Sequence, residues 1–169
     1  MQRLILMRHG EAERPSAGLE DFDRALDADG RQESRQVADA LATAGLGPDL
    51  ILVSGARRTV GTGEVVAEAF AGARIESDDA LYAAGPSRLA QAVRDAAPRA
   101  KALMLIGHNP GIHQYALQLA RLAGASARET KPLFDRFPTA TAAVFSLRSD
   151  GKPVFERLFL ARDYRSVIP

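Results

Sequence analysis

Three short segments of this 169-residue chain carry cationic or nucleophilic side chains within a few residues of the end of an apolar run. These are, in chain order, Arg8 and His9 after Leu4–Met7, Arg57 and Arg58 after Leu50–Val53, and His108 after Ala102–Ile106. Apolar runs this short are typical of buried strands. If the strands are parallel neighbours, their carboxyl ends meet at the edge where open α/β sheets bind ligands. The sequence therefore predicts a cationic pocket that contains an imidazole able to act as a nucleophile.

The rest of the chain supplies the elements that would position these side chains. Apolar periodicity, together with helix-start and helix-stop residues, predicts helices over 30–44, 59–70, 86–97 and 111–122. Apolar runs over 142–147 and 154–160 flank an Asp-Gly pair, which predicts a β-hairpin. This order predicts one α/β domain over residues 1–169. We expect a three-layer α/β/α sandwich with a mostly parallel central sheet and an antiparallel edge.

Composition excludes several classes of function. A net charge of +1 gives no overall field for binding nucleic acid or a membrane surface. The absence of cysteine excludes a cysteine nucleophile and thiolate metal sites. No apolar stretch approaches the ~20 residues of a membrane span, and the N-terminus runs straight into a short strand without a signal-like segment. We therefore expect a cytoplasmic protein that binds neither nucleic acid nor membrane.

The order of the motifs resembles the histidine phosphatase superfamily, which has a phosphoglycerate mutase-like fold. The matching motifs are strand-Arg8-His9-Gly10, then Ser54-x-x-x-Arg58-x-x-x-Thr62, then strand-Gly107-His108. The short chain, the segment 107–110 and the segment 23–30 look most like the SixA branch, the phosphohistidine phosphatases. The resemblance spans roughly residues 4–147, and the three motifs in this order are more specific than any one of them.

The resemblance implies a role for each residue of the expected pocket. His9 would attack phosphorus and form a covalent phosphohistidine, which water then hydrolyses. Arg8, Arg58 and His108 would bind the transferred group, since a guanidinium gives two donors in a planar fork. We expect a backbone carbonyl near Gly10 to orient the second ring nitrogen of His9. No metal ion or organic cofactor is implied. We also expect the residues beside the histidines to contact substrate: Gly10, Glu11 and Asn109.

The middle motif departs from the family pattern at two positions. Gly55 stands where proline is usual, and Thr59 stands where alanine is usual. The spacing of Ser54, Arg58 and Thr62 still matches the family pattern, so the resemblance implies the phosphate-binding role for Arg58. Arg57 is then expected to be a solvated surface charge.

A sharper departure concerns the general acid. Mutase-like members carry a glutamate as Leu-x-Glu after a strand, whereas this chain has Ala83 at the acidic position. Asp78 and Asp79 lie just upstream and are expected in an exposed turn. A phosphoramidate leaves as imidazole and needs less help than an alcohol, so the missing carboxylate favours phosphohistidine. Glu11 or an aspartate of segment 21–23 could substitute for the acid.

The expected substrate classes follow from the lack of long insertions after the strands. Enzymes that enclose small metabolites use lids or extra loops, so an open pocket suits a phosphorylated side chain on another protein. The expected partner is a phosphorylated protein, with a small phosphorylated metabolite as the alternative. A non-catalytic phosphate-binding module is a further alternative that would not need His9.

A metal site built from the three histidines is the remaining alternative. Zinc accepts imidazole ligands, so His9, His108 and His113 could in principle combine. However, His108 and His113 are five residues apart, and the arginines beside the site oppose a cation. The sequence therefore favours phosphoryl chemistry over a metal centre.

Overall fold

A six-stranded mixed sheet organises the computed structural model, which describes residues 1–164. The strands are β1 (Arg3–Arg8), β2 (Leu50–Ser54), β3 (Arg74–Asp78), β4 (Ala102–Gly107), β5 (Ala142–Leu147) and β6 (Pro153–Phe159). The α-helices are α1 (Ala28–Thr43), α2 (Arg57–Glu68), α3 (Pro86–Ala96), α4 (Gly111–Leu122) and α5 (Ala127–Asp135). Residues 165–169 of the expected domain lie outside the described residues.

The strand order places the three motif-bearing strands side by side. The order is β3-β2-β4-β1-β5-β6, in which the first four strands are parallel. β5 runs antiparallel to β1, and β6 runs antiparallel to β5. The predicted three-layer sandwich with a mostly parallel sheet and an antiparallel edge is confirmed. The carboxyl ends of β1, β2 and β4 therefore share one edge.

Apolar alternation along the strands builds a core on each face of the sheet. Leu4 and Leu6 of β1 pack on the face covered by α3, α4 and α5. Ile5 and Met7 point to the other face, which α1 and α2 cover. All four side chains are at most 2% exposed, so β1 is fixed on both faces. A side chain that follows β1 directly is therefore held at a rigid position.

Two helices begin earlier than the sequence predicts. α1 begins at Ala28 and not at Gly30, because the Asp27 carboxylate accepts the Gly30 N–H at 2.7 Å and caps the helix. α2 begins at Arg57 and not at Thr59. Arg58 therefore lies in the first turn of a helix. α3 ends at Ala96, and α4 has its predicted bounds.

The sequence analysis misses β3 and α5 for different reasons. β3 is a sheet-edge strand with the sequence Arg-Ile-Glu-Ser-Asp, so it lacks the apolar run that predicts the buried strands. α5 is short and has Pro132 inside it, yet Ser126 and Glu129 form a capping box at its start. The hairpin strand β6 runs from Pro153 to Phe159, one residue before its predicted range at each end.

Candidate active site

His9 follows β1 at the carboxyl edge of the sheet, and its backbone is held on both sides. Its N–H donates to the Gly107 carbonyl at 3.1 Å, and its carbonyl accepts from Ala140 N–H at 3.0 Å. The ring Nδ1 lies 2.6 Å from the Gly10 carbonyl. Because a carbonyl only accepts, Nδ1 carries the hydrogen and Nε2 has a free lone pair. The predicted orienting carbonyl near Gly10 is confirmed.

The surroundings of His9 keep its ring neutral. Burial is the largest cause that lowers its pKa, from 6.5 to about 3. The nearby His108, Arg58 and Arg8 lower the pKa further, and only the bond to the Gly10 carbonyl opposes them. A neutral imidazole with a free lone pair is the form that can attack phosphorus.

His108 lies beside His9 and is held in the opposite tautomer. The two ring centroids are 5.1 Å apart. Nδ1 of His108 accepts from the Arg58 guanidinium at 3.4 Å, since a guanidinium only donates, and Nε2–H therefore donates to Ser54 Oγ at 2.8 Å. Burial first, and then Arg58, lower the pKa of His108 to about 4. Its Nδ1 is thus a hydrogen-bond acceptor.

Arg58 projects from the first turn of α2 and is 6% exposed. Its NH1 donates to the Asp21 carbonyl, and its NH2 donates to the Asp21 carboxylate at 2.8 Å. Asp21 belongs to a 3₁₀ turn, Asp21–Asp23, in the long connection between β1 and α1. This turn therefore fixes the guanidinium next to both histidines.

The Asp21 carboxylate is the centre of a second cluster at the rim of the site. It accepts from Tyr82 OH at 2.7 Å and from Arg24 NH1 at 2.7 Å, as well as from Arg58. The Tyr82 hydrogen bond, followed by those of Arg24 and Arg58, holds the pKa of Asp21 well below its usual range. Asp21 is therefore ionised and is not a proton donor near neutral pH.

Arg8 completes the cationic group from the end of β1. Its NH1 donates to the Phe137 carbonyl at 3.2 Å, and burial lowers its pKa although Glu11 opposes the effect. Its Nε is buried without a hydrogen-bond partner in the part of the chain that the structure describes. Buried donors are rarely left unpaired, so this N–H is an exception among the polar groups of the site. Asn109 Nδ2 donates to the same Phe137 carbonyl at 2.8 Å.

Gly10 brings the end of β1 close to α1 and α2. A Cβ on Gly10 would lie 2.6 Å from both the Gly30 carbonyl oxygen and Ser34 Oγ, so a larger residue does not fit without movement. Its N–H donates to Thr62 Oγ1 at 3.0 Å, and this hydroxyl donates to the Arg58 carbonyl at 2.7 Å. Thr62 thereby links the backbone beside His9 to the helix turn that carries Arg58.

The structure brings together His9, Arg8, Arg58 and His108, whereas two other candidates are exposed at the surface. Glu11 is exposed, and its carboxylate accepts from Thr139 Oγ1 at 3.3 Å. Arg57 is exposed and donates only to the Asp23 carbonyl at 3.4 Å, as expected of a surface charge.

The acidic positions near β3 differ in exposure and partners. Asp79 is exposed, as predicted. Asp78, in contrast, is half-buried at the end of β3 and pairs with Arg88 at 2.7 Å, so the prediction of an exposed turn is wrong for this residue. The exposed Ala83 occupies the expected general-acid position, next to Tyr82 in the sequence.

Sequence reasoning missed two contributors to the site. Tyr82 packs edge-on against His108, with ring centroids 5.3 Å apart. The Leu-x-Glu pattern assigns the functional position to the next residue, Ala83, and gives Tyr82 no role. Phe137 acts through its backbone carbonyl, for which the sequence has no signal. Asp21 does have a signal in the sequence, because the acidic segment 21–23 is a candidate source of the acid; its role as a partner of Arg58 has none.

The three histidines do not form a metal site. His113 Nε2 donates to the Leu133 carbonyl at 2.7 Å, and its ring stacks on Phe137. Within residues 1–164, no group of three or more His, Cys, Asp or Glu side chains could hold a metal ion. The same residues contain no helix long and apolar enough to cross a membrane.

A family model and a curated protein sequence match this chain. The family model described as "Histidine phosphatase superfamily (branch 1)" matches residues 4–85. An uncharacterized chloroplastic protein of Arabidopsis thaliana is 30% identical over 163 residues, which cover 89% of this chain and 73% of that protein.

Solved structures extend the similarity to the whole fold. The proposed phosphohistidine phosphatase SixA from Agrobacterium tumefaciens has a TM-score of 0.80 and 30% identity, covering 94% of this chain and 97% of that chain. The protein histidine phosphatase SixA complexed with tungstate has a TM-score of 0.75 and 22% identity, covering 95% and 98%. This chain therefore belongs to the histidine phosphatase superfamily, in its SixA-like branch, and is a phosphatase with a histidine nucleophile.

Proposed function

We propose that this chain, as a single phosphatase domain, removes phosphoryl groups from phosphohistidine on a partner protein and becomes phosphorylated on His9. The observation that carries the proposal is the free Nε2 lone pair of His9, which the Gly10 carbonyl fixes inside a group of two arginines and a second imidazole. Phosphoryl transfer needs a positioned nucleophile and cations around the three phosphoryl oxygens. These residues supply both.

Each binding residue has a defined part in this step. Arg8 offers a guanidinium held by the Phe137 carbonyl, and Arg58 offers one held by Asp21. His108 Nδ1 accepts from Arg58, so it must take up a proton from solvent before it can donate to a phosphoryl oxygen. The charge of the bound phosphoryl group favours that protonation, since a nearby anion raises the pKa of an imidazole.

The acid–base character of the site supports phosphohistidine over a phosphate monoester. An alcohol leaves well only when it is protonated, and such help is typically worth about 10²–10⁴-fold. The usual general-acid position holds Ala83, and Asp21 is held ionised. A phosphohistidine whose second ring nitrogen carries a proton leaves as neutral imidazole and needs no donor.

Short connections around the site support a substrate presented by another protein. Only residues 55–56 separate β2 from α2, and only residues 108–110 separate β4 from α4. Neither of these two connections is long enough to close over a ligand, and the longer connection between β1 and α1, residues 9–27, contributes Asp21 and Phe22 to one side of the site. We therefore propose a phosphohistidine-bearing protein as the partner, and a cytoplasmic location stays a prediction from the sequence.

The test compares the wild type with His9→Ala on a panel of phosphorylated substrates. The panel contains a histidine-phosphorylated protein, sugar and nucleotide phosphates, and an aryl phosphate. We expect the wild type to favour the phosphohistidine protein and His9→Ala to be inactive on every substrate. A preference for a sugar or nucleotide phosphate would identify a metabolite phosphatase, and phosphate binding without turnover would identify a non-catalytic module.

A further inference from the structure

The carboxylate of Asp21, at the rim of the site, has one hydrogen-bond acceptor position to which no group within residues 1–164 donates. An ionised carboxylate has about four positions for hydrogen bonds. Tyr82 and Arg58 occupy Oδ2, and Arg24 occupies one position on Oδ1. Among the described residues, the second position on Oδ1 has no hydrogen-bond donor, and the side chain is 51% exposed. A donor on a bound substrate could reach it.

Aromatic rings line the same rim. The Tyr82 ring contacts Phe22 edge-on with centroids 5.1 Å apart, and it lies 5.3 Å from the His108 ring. Arg58 lies 5.9 Å from the centre of the Tyr82 ring. A carboxylate next to aromatic rings suits a flat ring that carries an N–H, because the rings offer packing area and the carboxylate accepts the hydrogen bond.

We propose that Asp21 binds the leaving ring of a phosphohistidine substrate by accepting a hydrogen bond from the ring nitrogen that does not carry phosphorus. This inference rests on the proposed function and names what the rim recognises. Attack by His9 is in line, so the leaving nitrogen lies across phosphorus from Nε2. The rim formed by Asp21, Phe22 and Tyr82 is joined to the phosphoryl-binding residues through Arg58 and His108.

The step balances without any added proton. The Nε2 lone pair of His9 forms a bond to phosphorus, and the bond from phosphorus to the substrate nitrogen breaks. Its electron pair returns to that nitrogen, and the ring leaves as neutral imidazole with its N–H still on Asp21. His9 then carries the phosphoryl group and keeps its Nδ1–H on the Gly10 carbonyl. The two rings thus have equivalent acceptors, a carbonyl for His9 and a carboxylate for the substrate.

The same carboxylate disfavours monoesters. An alcohol or phenol leaving group has no N–H to donate and gains negative charge as its bond to phosphorus breaks. An ionised carboxylate at the rim repels that charge instead of neutralising it. Asp21 therefore selects for a phosphoramidate with a protonated second nitrogen.

The experiment measures kcat/KM of the wild type, Asp21→Asn and Asp23→Asn for N-phosphoimidazole and for 4-nitrophenyl phosphate. Asparagine keeps the size of Asp21 and an oxygen acceptor for Arg58 but removes the charge. Asp23 is the matched control, since it lies in the same 3₁₀ turn and only its backbone carbonyl contacts an arginine among the described residues. We expect Asp21→Asn to lower the ratio of phosphoimidazole to aryl phosphate activity about 10- to 100-fold, the range for a hydrogen bond to a charged group. Asp23→Asn is expected to leave the ratio unchanged.

Two results would overturn the inference about Asp21, and a different result would overturn the proposed function. Equal losses on both substrates in Asp21→Asn would overturn the inference, because Asp21 would then act only by positioning Arg58. A ratio that stays constant or rises would overturn it as well. The proposed function fails in a different way, namely if the wild type hydrolyses histidine-phosphorylated protein no faster than His9→Ala does.

Discussion

Two neighbouring imidazoles in this site have opposite tautomers, and each tautomer follows from one hydrogen-bond partner. The Gly10 carbonyl accepts from Nδ1 of His9, so Nε2 is the free nucleophile. Arg58 donates to Nδ1 of His108, so its Nε2–H donates to Ser54. The sequence predicts the first arrangement from the need to orient a nucleophilic ring. It does not predict the second, because the partner of His108 depends on the position of the α2 turn.

The buried, neutral state of His9 makes folding stability depend on pH. Its pKa falls from 6.5 to about 3, so the unfolded chain binds a proton below pH 6.5 while the folded protein does not. Stability from this group is therefore present near neutral pH and is lost on acidification. Between about pH 7.5 and about pH 5, we expect His9 to contribute a loss on the order of 1–2 kcal/mol.

The measurement for this prediction is urea unfolding at both pH values for the wild type and His9→Gln. Glutamine does not titrate, so the fall in the free energy of unfolding between the two pH values is expected to be smaller in the variant. The comparison uses the pH dependence and not the absolute stability, which the substitution also changes. An equal fall in both proteins would show that His9 is not held neutral.

Arg58 is expected to carry far more of the rate than its neighbour Arg57. Arg58 is 6% exposed and contacts His108, whereas Arg57 is exposed and makes one long contact to a backbone carbonyl. By analogy with arginines that stabilise phosphoryl-transfer transition states, Arg58→Ala should lower kcat/KM about 10³- to 10⁵-fold. Arg57→Ala is the control and should stay close to the wild type. If steady-state kinetics showed a larger loss for Arg57→Ala than for Arg58→Ala, the assignment of Arg58 as the phosphate-binding arginine would be refuted.

At the scale of elements, hydrogen bonds through Thr62 link the end of β1 to helix α2 and so hold His9 and Arg58 in one pocket. The Thr62 hydroxyl accepts the Gly10 N–H and donates to the Arg58 carbonyl, and the side chain is fully buried. The spacing Ser-x-x-x-Arg-x-x-x-Thr therefore has a physical reason. It places the threonine one helical turn after Arg58, where it can reach back to β1.

Thr62→Val tests this connection because valine has nearly the same shape and no hydroxyl. The Gly10 N–H would be left buried without an acceptor, which is expected to cost about 1–3 kcal/mol in the free energy of unfolding. Thr43→Val is the matched control, since Thr43 Oγ1 also donates four residues back, to Asp39, but on the surface. Its change should stay within about 0.5 kcal/mol. Similar changes for both variants in chemical denaturation would contradict the structural role of Thr62.

At the scale of the whole molecule, the sequence predicts the layers and the meeting of three strand ends, because buried parallel strands are long apolar runs. It does not predict β3, since an exposed edge strand lacks that pattern. The four central site residues are predictable because their side chain types are specific to the chemistry. The roles of Asp21 and Tyr82 are not predictable from the sequence, because only the fold brings these residues together. Asp21 lies in a turn between β1 and α1, Tyr82 follows β3, and the Asp21 carboxylate contacts both Tyr82 and Arg58.

The most direct test of the account is to quench the wild type during turnover of a histidine-phosphorylated protein and to map the modified residue by mass spectrometry under alkaline conditions. We expect phosphate on His9, attached through Nε2, and no trapped phosphoenzyme in His9→Ala. Turnover accompanied by phosphate on another residue, or undiminished turnover in His9→Ala, would contradict the claim that His9 is the nucleophile.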